Sequence, residues 1–212
     1  MKRCLIVGAG GFGREALAWA LAMRQDEWQI AGFLDAAPHA LEGKNVHFPI
    51  LGDPFKWIPG PDEVFIAGIG NPEPRLRVCG ALAARGAKFV TVIHPTAVVA
   101  MNAELGSGCV VAPMAIVSVN VRLGPFVLVN VASSVGHDAT VDEGATISGH
   151  CDIMGYAKIG RAAFLGGQAC VLPSVTVGES AIVGAGSSVV RNVSPRTTVM
   201  GVPAQLLFRH AE

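Results

Sequence analysis

Rings and charges are both scarce in this chain. Aromatic residues make up 6% of it and charged residues 15%, against 51% hydrophobic residues. That scarcity excludes an aromatic-rich core, and the abundant Val, Ala and Ile suit tightly packed strands. Net charge is missing too, with 16 basic and 16 acidic residues, so bulk electrostatics offer no attraction to nucleic acid or a membrane surface. No apolar run approaches the length that a membrane-spanning helix needs. The opening MKRCLIVGAGGFGREALAWALAM imitates a signal peptide, but glycines and then Arg14–Glu15 cut its apolar run after Val7. It reads better as strand, loop and helix. Five cysteines, an odd number without paired spacing, do not form a disulfide framework. The expected location is the cytoplasm.

What is present falls into two grammars. Residues 1–90 alternate strands and helices. CLIVGAG is a buried strand, Gly13–Met23 a helix with an apolar side, WQIAGFLD a strand ending on Asp35, and DEVFIAGIG another strand. A second helix has Asn71 as N-cap, Pro72 as its first residue and Gly86 as its stop. AKFVTVI closes the unit, and the alternation predicts a small parallel sheet covered by helices. Gly8-Ala-Gly10-Gly-Phe-Gly13 fits G-x-G-x-x-G between strand and helix, with Asp35 about 20 residues on. Glycines there let a backbone approach phosphate at a helix N-terminus. By local rules this is the fingerprint of an NAD(P)-binding oxidoreductase. Against it, the unit makes about half of a dinucleotide fold, and no second catalytic domain follows. A tight turn that binds nothing is the plainer alternative.

From Ile93 every sixth residue is Ile, Val or Leu, through Val99, Leu105, Val111 and onward to Val189, without insertion. The fourth residue after each is small or β-branched, from Ala97 and Ala103 to Ala181 and Ser187. A helix repeats every 3.6 residues and a flat strand every two, so neither produces a sustained six. A coil with three flat sides does, with one aliphatic residue per side on the axis and one small residue near each corner. The register predicts a β-helix over 91–194, with three sides of six to each coil and between five and six coils, then a tail over 195–212. Glycines often follow the aliphatic position (Gly106, Gly124, Gly136, Gly160), which places a bend with unusual dihedrals there. Cys109 and Cys151 occupy small inward positions and read as packing.

Within this bland run stands His137–Asp138. His137 lies two residues after inward Val135 and just beyond Gly136, so it projects outward near a corner. One coil later the same place is Gly155, which leaves room beside the imidazole. Near a bend Asp138 can reach the ring, fix its tautomer and make the other nitrogen a general base. The competing reading is a surface histidine with an unrelated acidic neighbour.

The ordered set GAGGFG, GFLD, PILGD, FIAGIGN, IHPTA, VNVASSVGHD, VLPSVTVG, VGAGSSVV and GVPA spans nearly the whole chain. It resembles a bacterial sugar acetyltransferase family, often labelled sialic acid O-acetyltransferase-like, which includes N-acetyltransferases of nucleotide-linked 4-amino sugars. The resemblance implies a Rossmann-like front domain holding the nucleotide-sugar and a left-handed β-helix of hexapeptide repeats. It implies His137 as general base with Asp138 raising its basicity, and a homotrimer with acetyl-CoA between neighbouring β-helices. Carried over by position, Thr146, Gly167 and Ala185 line the cofactor groove, and the Gly155 N–H is placed to hold an oxyanion. Gly10, Gly11, Phe12, Asp35, Ala36, Gly70 and Asn130 match acceptor-contacting positions. Some relatives carry histidines where this chain has Phe12 and Thr146. Lys158, Arg161, Arg191, Arg196 and Arg209 are candidate cations for coenzyme A phosphates.

A zinc hydratase resembling the gamma carbonic anhydrases is a further alternative. It needs converging histidines, and His94, His137 and His150 occupy different coil positions, so no metal is expected. The reading reached is an acetyl-CoA-dependent acetyltransferase acting on an amine of a nucleotide-activated sugar for surface glycans, with no covalent enzyme intermediate. O-acetylation of sialic acid or another glycan sugar is the alternative.

Overall fold

The computed structural model describes residues 1–210. Its front part is an open parallel sheet of strands β1 (Lys2–Val7), β2 (Trp28–Leu34), β3 (Ile50–Gly52) and β4 (Glu63–Ala67), in the order β3-β2-β1-β4. Helices α1 (Gly11–Ala22) and α2 (Pro72–Ala83) follow β1 and β4. Successive residues of a strand face opposite sides. Accordingly Cys4 and Ile6 pack in the cluster containing α1 residues Ala16 and Trp19, while Leu5 and Val7 join α2 residues Val78, Cys79 and Leu82. A strand covered on both faces has to be apolar throughout, which is why CLIV shows no alternation.

Some expectations shift in detail. Helix α1 begins at Gly11, two residues earlier than expected, with Gly10 as its N-cap. Asn71 and Pro72 open α2 as expected, although the Asn71 side chain makes no capping bond. The short β3 was not anticipated, because three residues show no period. The segment AKFVTVI divides between two sheets: Phe89 makes one bridge to Phe65, and Val92–Ile93 already pairs with Val110–Val111 of the following structure.

That structure is a parallel β-helix. Seventeen two-residue strands run from Val92–Ile93 to Ser188–Val189, distributed over three faces in groups of six, six and five. Face one carries strands such as Leu128–Val129 and Thr146–Ile147, face two Ser134–Val135 and Asp152–Ile153, face three Arg122–Leu123 and Thr140–Val141. Each strand pairs with the one a full coil later, as Leu128 does with Thr146 and Ser134 with Asp152. Val111, Val117, Val129, Val135, Ile147 and Leu165 fill the axis, and Cys109, Ala115, Ser133, Ala139 and Cys151 are buried at the corners.

The bend sits elsewhere than the glycines suggested. Left-handed backbone occurs three residues after the inward aliphatics from Leu105 to Val183, at Met114, Asn120, Phe126, Ala132, Asp138, His150 and Tyr156 among others. Most of these residues are not glycine, although the conformation costs an L-residue about 1–2 kcal/mol. The glycines directly after the aliphatic position serve close approach between coils. A Cβ on Gly106 would lie 2.5 Å from the Pro125 nitrogen, and one on Gly124 2.6 Å from that of Glu143.

The stretch expected to be a tail continues the wall. Thr197–Met200 pairs in parallel with Ile182–Val183 and in antiparallel with Gln205–Arg209. Val183 meets Val199 and Val177 meets Val193, two positions sooner than the full coil would bring them. The last coil is thus shorter, and the six-residue step stops at Val189.

Face one is covered by the front domain. Its outward Val92, Val110 and Leu128 share a core with α1, and Phe126 packs with α2. Arg75 of α2 is the fastener. It is 1% exposed and donates from Nε to Phe126 O (2.9 Å), from Nη1 to Ile69 O and Gly70 O (both 2.8 Å), and from Nη2 to Gly144 O (2.8 Å) and Ala145 O (3.1 Å).

Candidate functional site

His137 stands on the edge between faces two and three, following Ser134–Val135 and preceding Thr140–Val141. The backbone turns left-handed at Asp138 (φ 58°). That turn folds its carboxylate back so that His137 Nδ1 and Asp138 Oδ2 lie 2.9 Å apart, a contact a straight strand would not allow. An ionised carboxylate only accepts hydrogen bonds, so Nδ1 carries the proton and Nε2 is left as the basic nitrogen. Hydrogen bonds from His137 first, then from Asn120, hold the Asp138 carboxyl below the usual carboxylate range. The imidazole also packs edge-on against Tyr156, with ring centroids 5.2 Å apart.

Gly155 lies beneath the ring. A Cβ there would come within 2.7 Å of both Cε1 and Nε2 of His137. The space expected beside the imidazole is therefore filled by the imidazole itself. Gly155→Ala should displace the ring and lower turnover by about 100-fold, the scale of a misplacement of about 1 Å. Its thermal unfolding should match wild type, because His137 is an exposed side chain free to move. Steady-state kinetics beside a melting curve check this.

The acceptor residues gather at a second place. Gly10, Gly11, Phe12, Asp35, Ala36 and Gly70 all line one cavity of about 380 Å³ between the glycine loop and α2. A Cβ on Gly13 would sit 1.9 Å from Gly8 O, so only glycine lets α1 pack onto β1 there. Asp35 Oδ2 accepts from the Ala9 N–H (2.8 Å) and Oδ1 from the Ala37 N–H (2.9 Å), which ties the glycine loop to the end of β2. Sequence reasoning missed Arg77, the one cation lining this cavity among the described residues. Its only signal was its place on α2, two residues beyond Arg75.

Apart from Gly155, the expected cofactor residues do not assemble around His137 within one chain, and neither does Asn130, expected to contact the acceptor. Asn130, Gly167 and Ala185 follow strands of face one and lie on the edge between faces one and two. Thr146, expected in the cofactor groove, faces the front domain instead and is 3% exposed. Its hydroxyl accepts from Arg75 Nη2 (2.9 Å) and donates to Gly70 O (2.8 Å), so it is engaged inside the chain. Among the candidate cations, Arg161 contacts Glu143 (3.0 Å) and Glu179 (3.7 Å). Arg191 stands on the His137 edge, three coils further along the axis. No group of three His, Cys, Asp or Glu residues suited to a metal occurs among the described residues.

Comparison with known proteins agrees with this fold. Residues 3–82 match the PglD N-terminal domain family. The acetyltransferase domain of PglB from Neisseria gonorrhoeae, whose structure is also known with acetyl coenzyme A, superposes with a TM-score of 0.89 at 30% identity. That superposition covers 98% of this chain and 100% of the other. A mutant of perosamine N-acetyltransferase from Caulobacter crescentus, in complex with CoA and GDP-perosamine, gives 0.89 at 26% identity over 98% of both chains. The UDP-N-acetylbacillosamine N-acetyltransferase of Bacillus subtilis is 28% identical over 123 residues, which are 52% of this chain and 51% of that protein. The match thus spans about half the length of that curated relative. With the full-length superposition on the gonococcal domain, the chain belongs to the hexapeptide-repeat family of bacterial sugar acetyltransferases.

Proposed function

We propose that this protein transfers the acetyl group of acetyl-CoA to an amine of a nucleotide-activated 4-amino sugar destined for surface glycans, in the cytoplasm. The observation that carries the proposal is the His137–Asp138 contact (2.9 Å) seated on Gly155. Nε2 of His137 takes a proton from the acceptor amine as its nitrogen attacks the thioester carbonyl. The C–N bond forms, the C–S bond breaks, and the coenzyme A sulfur leaves and is protonated. The Gly155 N–H makes no hydrogen bond among the described residues, which suits it to the oxyanion. The front cavity holds the nucleotide-sugar, with Asn130 contacting the acceptor. Gly167 and Ala185 line the groove for coenzyme A.

The chain's thiols support a direct transfer without a covalent enzyme intermediate. Burial pushes Cys4 and Cys79 up to about 12 and Cys109 and Cys151 up to about 11, and half-buried Cys170 is raised as well, by desolvation and then by the Asp152 charge, so none is a thiolate nucleophile near neutrality. A thermal-shift screen against UDP-, GDP-, dTDP- and CMP-linked sugars with acetyl-CoA tests the proposal. One sugar nucleotide together with the cofactor should raise the midpoint; stabilisation by nicotinamide dinucleotides alone would favour the oxidoreductase reading.

The functional unit is a homotrimer. His137 and the Asn130–Gly167–Ala185 edge occupy different edges of one β-helix, so a complete groove needs an edge from a neighbouring chain. Val98, Met101, Met114, Ile116 and Val119 on and beside face two are exposed, an apolar surface suited to burial against such a neighbour. Light scattering should give three chain masses at micromolar concentration. A fully active monomer would contradict it.

A further inference from the structure

Asp138 belongs to a polar ladder that runs along the His137 edge, beyond any contact with a reacting group. Stacked coils place corresponding residues over one another, about 4.8 Å apart. Asn102, Asn120 and Asp138 form such a column. Asn102 Nδ2 donates to Asn120 Oδ1, the Asn120 N–H donates to Asn102 Oδ1 at 3.4 Å, and Asn120 Nδ2 donates to Asp138 Oδ1 at 3.0 Å. The sense of this chain follows from chemistry. A carboxylate has no proton to give, so Asn120 must turn its amide NH2 toward Asp138 and its oxygen toward Asn102. Asn120 and Asp138 share the left-handed backbone, with φ of 57° and 58°, so their side chains leave the wall in the same direction. The two oxygens of Asp138 then have separate partners, Asn120 on Oδ1 and His137 on Oδ2.

We propose that Asn120, oriented by Asn102, is a positioning residue that fixes the Asp138 carboxylate and, through it, the tautomer and aim of His137. This rests on His137 being the base, as above. Without Asn120 the carboxylate is free to rotate about its side-chain torsions, and it loses a donor that favours its ionised form. Asn102 acts one step further away, by settling which end of the Asn120 amide meets Asp138.

Asn120→Gly removes the side chain while tolerating the positive φ. Turnover should fall about two- to tenfold, the scale of one ordinary net hydrogen bond, with KM for both substrates unchanged. The Asp138 carboxyl resonance, followed by carbon NMR, should titrate at higher pH than in wild type. Asn120→Asp, which sets a second carboxylate against Asp138, should raise it further. The decisive comparison is a double-mutant cycle: in an Asp138→Asn background, Asn120→Gly should cost nothing more. The proposal is overturned if the two losses multiply, or if turnover and the Asp138 titration both stay at wild type. Failure of the base assignment would show itself separately, as an active His137→Asn enzyme.

Discussion

His137→Asn is expected to lower acetyl transfer by about 100- to 10,000-fold, the usual contribution of a general base. The loss should appear in turnover, with KM for acetyl-CoA and the sugar nucleotide nearly unchanged, because asparagine removes the basic nitrogen without altering either binding surface. The fold should survive. His137 is 54% exposed at its side chain, and its side-chain partners are Asp138 and Tyr156; an exposed pair of this kind contributes little to stability. Asp138→Asn should cost less, since an amide still holds the ring but stabilises the imidazolium less well. The sign of the pH effect follows from the depressed Asp138 carboxyl. Its folded value lies below its unfolded one, so its stabilising contact is fully present above the ordinary carboxylate range and is lost only as pH falls through the depressed value. Rate changes between about pH 5 and 8 therefore do not arise from Asp138. A wild-type pH–rate profile extended to about pH 4 checks this, and should show no separate inflection in the ordinary carboxylate range.

The second large effect is on stability. Arg75→Ala should destabilise the protein by about 3–5 kcal/mol, because several buried carbonyls lose their donor at once. The guanidinium joins carbonyls of Ile69 and Gly70 at the front cavity to carbonyls of Phe126, Gly144 and Ala145 on the β-helix, and it also reaches the Thr146 hydroxyl. Each buried acceptor left unpaired costs about 1–3 kcal/mol. Burial already lowers the Arg75 pKa to about 10, yet it remains protonated at neutral pH. Arg75→Lys should rescue little, because three donors on one nitrogen cannot span acceptors that the planar fork reaches from both sides. Urea unfolding reads the loss directly. A drop of less than about 1 kcal/mol for Arg75→Ala would mean that water replaces the guanidinium at no great cost.

The contrast between these two residues shows what a sequence displays. The β-helix was legible because its period is fixed by geometry: an axis admits one aliphatic side chain per face, and seventeen successive positions obey. The His137–Asp138 pair was legible because two ionisable groups stood in a run of small residues. Arg75 was not, since its partners are mostly backbone carbonyls far away in the chain, Phe126 and Ala145 among them, and no side-chain pattern marks a carbonyl. The covering of face one does leave a trace in the sequence. Five of its six outward positions, Val92, Val110, Leu128, Phe164 and Ile182, are apolar and only Thr146 is polar, whereas face three shows Glu104, Arg122 and Lys158 to solvent. The same covering explains Thr146, which the family resemblance assigns to a cofactor groove although its face is already occupied. The bend was misplaced for a different reason. Glycine marks both unusual dihedrals and close backbone approach, and here the second cause operates after the aliphatic residue.

The most direct measurement is the product. The protein is incubated with acetyl-CoA and a nucleotide-linked 4-amino sugar; free thiol is counted and the sugar nucleotide weighed by mass spectrometry, with its acetylated atom located by NMR. One thiol should be released for each acetyl group gained, the acetyl should sit on the amine nitrogen, and His137→Asn should suppress both. Thiol release that proceeds at the wild-type rate in His137→Asn, or an acetyl group found on a hydroxyl oxygen, would contradict the account.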